Sequence, residues 1–249
     1  MIYYFSGTGN TRHVAMLLSQ ATDHPLTSIT PDTMVVPSST IGILFPVYAW
    51  GLPSIVVHFL ERNRPIISSA SYIYTVMTCG DDIGYADHTL TRILGRQPDA
   101  IFSVPMPNTY VCLPGFDIDS PDMAHRKVKT THGMITHIAE TIQAKRTATE
   151  VERGSTPWLK TYILRHIFNR FLVTDRYFHT TQSCTLCHRC VASCPMHNIS
   201  VTNHVSWGNT TCTGCLRCYH LCPNRAIEFG PFTKNKGQKI PINENLTGK

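Results

Sequence analysis

The chain has 249 residues, long enough for one large or two modest domains, with 22 Lys plus Arg against 16 Asp plus Glu, a formal charge of +6. Hydrophobic residues make up 42% and charged residues only 15%, which excludes a disordered chain. No window of about 18 apolar residues exists to cross a membrane, and Met1 runs into Ile2-Tyr3-Tyr4-Phe5 without the charged start of a secretory leader, so a cytoplasmic protein is expected.

Met1–Phe5 is β-branched and aromatic and reads as a short buried strand. Thr11–Gln20 follows with a helical face of Val14, Ala15, Leu17 and Leu18. Between them lies Ser6-Gly7-Thr8-Gly9-Asn10-Thr11. Free amides at a helix start attract anions, the glycines allow close approach, and three hydroxyls can donate to phosphate oxygens. No Gly-Lys-Ser/Thr is present, so this is not a triphosphate P-loop, and the third glycine of the dinucleotide fingerprint is missing. An ordinary Gly/Ser/Thr turn is the plain alternative.

Ile41–Phe45 is a continuous apolar run, the mark of a central parallel strand. It leads into Pro46-Val47-Tyr48-Ala49-Trp50-Gly51 and a helix over Leu52–Leu60 with Pro53 early in it. Ser71–Met77 is a further strand, ending in Thr78-Cys79-Gly80-Asp81-Asp82-Ile83-Gly84, before helix Tyr85–Leu94. Strand Ala100–Val104, the loop Pro105–Tyr110 and helix Pro121–Lys145 complete the alternation. Such alternation means a parallel α/β sheet, whose ligands bind outside the carboxyl ends of the strands. Plainer roles stand beside this: Trp50 as a core aromatic, Tyr48 as surface, Cys79 and Cys112 as inert buried residues, Asp81 and Asp82 as caps of the next helix.

Residues 1–145 resemble flavodoxins on these loops. Ser6-Gly7-Thr8-Gly9-Asn10-Thr11 is similar to their phosphate motif, Thr/Ser-x-Thr-Gly-x-Thr, which holds the phosphate of FMN without a charged side chain. The resemblance implies a doubly wound, five-stranded parallel sheet. It implies that Ser6, Thr8, Gly9, Asn10 and Thr11 hold phosphate. Pro46, Tyr48, Ala49, Trp50 and Gly51 would flank one side of the flavin ring, and Thr78, Cys79, Gly80 and Asp81 the other.

Thr156–Arg176 reads as a helical connector with an apolar stripe of Trp158, Leu159, Tyr162, Ile163, Ile167, Phe168, Phe171 and Leu172. A membrane-surface helix is one reading; a connector packed between domains is the one favoured.

Eight of the ten cysteines then fall in two runs. Cys184, Cys187, Cys190, Cys194 and Pro195 have the spacing C-x₂-C-x₂-C-x₃-C-P, and Cys212, Cys215, Cys218, Cys222 and Pro223 repeat it 28 residues later. Each run is followed by a short strand candidate, so the halves are expected to pair about a pseudo-twofold axis. Zinc would use two C-x₂₋₄-C knuckles and leave a third cysteine surplus, and disulfides suit secreted proteins. From Gln182 to Gly230 the chain resembles the bacterial two-cluster ferredoxins, a small α+β fold. That resemblance implies two 4Fe–4S clusters. One would take Cys184, Cys187, Cys190 and Cys222, the other Cys212, Cys215, Cys218 and Cys194. Small ferredoxins are often acidic, whereas this unit carries Arg189, Arg217 and Arg225. Lys234–Lys249 is Asn/Lys/Gly-rich and is expected to be mobile.

The domains expected are thus 1–148 (flavodoxin-like), 149–179 (connector), 180–232 (ferredoxin-like) and 233–249 (tail). The whole resembles bacterial flavodoxin–ferredoxin fusion proteins. That implies electron transfer between two 4Fe–4S clusters and FMN, with a redox partner protein or a small-molecule acceptor. The alternative is a flavin-dependent reductase of a quinone or nitro compound. No general acid–base constellation is evident, and nucleic acid is not the expected partner. Residues 145–179 hold 7 basic and 3 acidic side chains and residues 180–249 hold 7 and 2. This excess suits compensation of clusters that carry about −2 each with their thiolates.

Overall fold

The computed structural model describes residues 1–208 and 212–239. The part of the expected tail from 240 to 249 lies outside the described residues. The N-terminal half forms one parallel sheet. Its strands are β1 (Ile2–Tyr4), β2 (Leu26–Ser28), β3 (Thr40–Pro46), β4 (Tyr72–Cys79), β5 (Ala100–Pro105) and β6 (Ala148–Glu150), in the order β2-β1-β3-β4-β5-β6. The first five follow the flavodoxin-like order 2-1-3-4-5. The sheet has six strands where five were expected: β6 adds to the β5 edge. The chain stays on the sheet beyond it, because Glu152 N–H donates to Ser103 Oγ (2.8 Å) and Ile83 N–H to the Glu152 carbonyl (2.9 Å).

Alternation along each strand splits the core into two layers. Tyr3, Phe5, Ile43, Phe45, Ile73 and Met77 face α2 (Ser54–Ser68) and α3 (Ala86–Leu94). Ile2, Leu44, Tyr74, Val76, Phe102 and Val104 face α1 (Asn10–Thr22) and α4 (Pro121–Gln143). Pro53 caps α2 from outside, and Pro121 opens α4 behind Ser120, whose Oγ accepts from Met123 N–H.

The connector is one helical rod in three parts: α5 (Pro157–Leu159), a π-helical turn (Lys160–Leu164) and α6 (Arg165–Phe171). It touches both halves, but most of its apolar stripe is turned outward. Phe168 and Leu172 face inward, but Trp158, Leu159, Tyr162, Ile163, Ile167 and Phe171 are exposed. Polar residues hold the rod to the first domain instead. Lys160 Nζ pairs with Asp82 (2.6 Å), Thr161 Oγ1 accepts from Tyr85 N–H (2.8 Å), and Arg165 grips the carbonyls of Tyr48 (2.5 Å) and Leu52 (2.7 Å).

The C-terminal unit repeats itself as its sequence does. Helix α7 (Arg189–Ser193) and strand β8 (Ile199–Val201) answer α8 (Arg217–Leu221) and β10 (Ile227–Phe229). Strand β9 (Val205–Trp207) pairs antiparallel with β8, and β7 (Phe178–Thr180) with β10. The backbone follows the 28-residue offset closely. Leu186, His188 and His197 have positive φ (52°, 60° and 50°), as do their counterparts Gly214, Leu216 and Arg225 (69°, 56° and 49°). The core of this unit also takes in Val111 and Cys112 from the loop after β5, so the two halves share packing.

The segment after β10 is seated, not loose, as far as it is described. Gln238 Nε2 donates to the carbonyls of Tyr219 (2.7 Å) and Cys222 (3.2 Å). Lys239 N–H donates to His220 Nδ1 (3.0 Å), while the other ring nitrogen of His220 meets the Thr109 carbonyl (2.8 Å). Burial keeps that imidazole neutral, pushing its pKa down to about 4.

Candidate functional site

A cavity of about 270 Å³ opens at the carboxyl ends of β1, β3, β4 and β5. Ser6, Thr8, Asn10, Thr11, Pro46, Tyr48, Ala49, Trp50, Thr78, Cys79, Gly80 and Asp81 all line it. Two residues of the expected set do not. Gly9 sits behind the loop as the N-cap of α1, at φ 99°, and Gly51 lies under the Arg165 guanidinium, where a Cβ would collide.

The loops are held by bonds across the sheet end. Thr11 Oγ1 meets Thr78 Oγ1 at 2.7 Å, Asn10 Nδ2 donates to the Pro107 carbonyl at 2.7 Å, and Ser6 Oγ accepts from Gly9 N–H at 3.1 Å. Lys127 Nζ fixes the third loop, donating to the Gly80 carbonyl (2.9 Å) and pairing with Asp119 (2.8 Å). Asp82 accepts from Gly84 N–H (3.2 Å) and pairs with Lys160, so it braces the turn before α3 rather than capping the helix, while Asp81 stays exposed. Ala49 and Trp50 both hold left-handed backbone, φ 43° and 58°, stapled by Arg165. Burial lowers the Arg165 pKa to about 10 and raises the Cys79 and Cys112 thiols to about 12, which suits them as inert buried residues.

The cavity is not the work of the first domain alone. Phe168 and Leu172 close one side from the connector, and Thr213, Cys215 and Leu216 reach it from the C-terminal unit. That unit also clamps the Ser6–Thr11 loop. Arg217 Nε donates to the Gly7 carbonyl (2.8 Å), and its Nη2 donates to the Ser6 carbonyl. Lys239 Nζ donates to the Thr8 carbonyl at 2.7 Å, and burial lowers its pKa to about 8. These two cations and Arg165 were not named as site residues from the sequence. The one available signal was an anion loop with no cation of its own.

The cysteines ring two smaller cavities. Cys184, Cys187, Cys190 and Cys222 line one; Cys194, Cys212, Cys215 and Cys218 line the other. The fourth cysteine of each run is thus exchanged between the halves. Backbone amides point at these sulfurs in matched pairs: Asn198 N–H to Cys194 Sγ (3.3 Å) and Ala226 N–H to Cys222 Sγ (3.2 Å). Gly214 N–H adds a bond to Cys212 Sγ (3.4 Å). Among the described residues no three His, Cys, Asp or Glu side chains gather closely enough for a single metal ion. Four thiols around a wider space, with amide donors to sulfur, fit a cluster better than one zinc.

Residues 176–223 match the family model of a 4Fe-4S dicluster domain. No curated protein matches the chain. Among solved structures, the chain is similar to one described as a flavoprotein from Bacteroides uniformis ATCC 8492 (18% identity, 52% of this chain, 96% of that one, TM-score 0.35). It is also similar to a flavodoxin, WrbA-like protein from Agrobacterium tumefaciens (12%, 58% and 97%, TM-score 0.36) and to a flavone reductase (12%, 65% and 69%, TM-score 0.38). These likenesses are distant, and the fold is read from the strand order itself. The chain fuses a flavodoxin-like domain to an iron–sulfur domain. Redox electron transfer is the class of activity this fusion supports. No helix among the described residues is long and apolar enough to cross a membrane.

Proposed function

We propose that this fusion carries electrons between two 4Fe–4S clusters and an FMN, exchanging them with a redox partner protein or a small-molecule acceptor. The observation that carries the reading is Cys215, which lines both the larger cavity and one cysteine-ringed cavity. Phe178, Thr213 and Leu216 line both as well, so the two candidate cofactor spaces share a wall in which Cys215 is the thiol. Clusters pass single electrons and a flavin accepts one or two, so their apposition in one chain makes a short relay.

The residues divide the work as follows. Cys184, Cys187, Cys190 and Cys222 hold one cluster, and Cys194, Cys212, Cys215 and Cys218 the other. The loop Ser6–Thr11 takes the flavin phosphate at the start of α1, which has no acidic residue in its first turn and no side-chain cap. Arg217 engages the loop's carbonyls, and Lys239 supplies the cation that the loop itself lacks. Trp50 and Tyr48 shield one side of the ring and the Thr78–Asp81 turn the other, while Phe168 and Leu172 keep water from the outer side.

Anaerobic purification followed by iron, sulfide and flavin assays tests this. About eight irons, eight sulfides and one FMN per chain are expected. Zinc in place of iron, or iron with no flavin, would remove the relay.

A further inference from the structure

A surface helix ordinarily turns its apolar stripe toward the protein and its charges toward water. The 157–171 rod does the reverse. Lys160, Thr161 and Arg165 point into the first domain, as described above, and the large apolar side chains other than Phe168 face out. Trp158 is 58% exposed, Ile167 52% and Phe171 61%, with Leu159, Ile163 and Leu164 between them. A continuous exposed stripe of this kind marks an interaction surface.

The charges around it say what the surface meets. From Thr156 to Tyr177 the chain has four cations and a single carboxylate, Asp175. Asp175 is buried, and Lys160 and Arg165 are engaged inward. Arg170 and Arg176 are left exposed beside the apolar stripe, with His166. The face is thus apolar and cationic, with no exposed acid of its own. A two-fold contact with a second copy would set one cationic face against another, with no exposed carboxylate on either segment to pair with Arg170 or Arg176. Hydrocarbon accepts the Trp, Ile and Phe side chains, and phosphate headgroups accept the arginines.

We propose that the outward face of the connector seats the protein on an anionic lipid surface, as a peripheral and not a spanning contact. The bound orientation sets the mouth of the larger cavity, walled by Phe168 and Leu172 of the same rod, beside the bilayer. This inference stands apart from the redox reading, since it uses none of the cysteines and none of the cavity side chains as contacts.

The test is flotation of the full-length, anaerobically purified protein with vesicles. Two compositions serve: phosphatidylcholine alone, and phosphatidylglycerol with phosphatidylcholine in equal parts. Binding to the anionic vesicles is expected, about tenfold weaker on the neutral ones and weakened by salt. The double change Ile167→Glu/Phe171→Glu, at exposed positions outside the cavity, should abolish flotation while leaving the circular dichroism and the cluster and flavin absorbance unchanged. Arg170→Glu should weaken only the anionic binding. Trp158 emission should shift to the blue on vesicles, a change that Trp158→Phe removes. Three results overturn the proposal: no flotation on either composition; equal binding of the wild type and the double variant; or a dimer in solution that the double variant splits, with no vesicle binding.

Discussion

The two halves of this molecule are held together by different means. The N-terminal half buries two apolar layers against a six-stranded sheet, with Tyr3, Phe5, Phe45, Tyr74 and Phe102 almost fully enclosed. Among the described residues the C-terminal unit has one small cluster of buried side chains, and part of that is lent by Val111 and Cys112 of the first half. Where the first half has packed hydrocarbon, the second has thiols around space. Hydrophobic burial sustains a fold with or without a cofactor, whereas a small unit of this kind depends on what its ligands bind.

Chelation should break that comparison most plainly. Stripping iron from the anaerobic protein is expected to expose residues 176–239 to protease while the α/β sheet persists. The readout is a stable fragment ending near the connector, with sheet-type circular dichroism retained. Uniform loss of both halves would show that the second half supports the first.

A smaller effect concerns the seam between connector and sheet. Arg165→Ala removes the guanidinium donor to the Tyr48, Ala49 and Leu52 carbonyls, of which Tyr48 keeps its bond from Gly51 N–H, and should cost about 2 kcal/mol in denaturant unfolding. Gly51→Ala should cost about 1–3 kcal/mol, because its Cβ displaces a guanidinium that three carbonyls hold. Combined, the two should cost little more than Arg165→Ala alone, since the collision partner is gone. Simple additivity in that double-mutant cycle would show that Gly51 is needed for another reason.

The smallest effect is a pH slope. Burial lowers the Lys239 pKa to about 8, and a bound phosphate dianion would raise it. Below about pH 8 the ammonium is charged in both free and bound protein, so FMN affinity is flat. Above it, binding must take up a proton, and affinity should fall toward tenfold per pH unit. Titrating flavin-stripped protein with FMN at pH 7, 8 and 9 reads this. Lys239→Gln should flatten the slope and shrink the preference for FMN over riboflavin. Flavin binding that is equal for FMN and riboflavin in the wild type would remove Lys239 from the phosphate site without removing the flavin.

Much of this organisation was legible in the sequence, for identifiable reasons. The central strands announced themselves because Ile41–Phe45 and Ser71–Met77 are buried on both faces. Strands β2 and β6 did not, since each is three residues long, partly exposed and polar enough to pass for a loop. The two cysteine runs were legible as local spacing, and the exchange between them only as what the resemblance to two-cluster ferredoxins implies. Arg217 and Lys239 were not legible as site residues. They meet Ser6, Gly7 and Thr8 only after more than 200 residues of chain have turned back. The connector shows a third case: periodicity revealed its apolar stripe but not which way the stripe would face.

The 28-residue repeat makes the two halves of the C-terminal unit depend on each other. Six backbone positions share a left-handed turn across the repeat while only one of them, Gly214, is glycine. The halves match in conformation more closely than in side chains. Each half encloses three cysteines of its own cavity and lends its fourth to the other. Neither half closes a cavity by itself, so a single copy would be whole only when embraced by a twin. Within one chain that dependence is internal, and neither half can be deleted without opening the other's cavity.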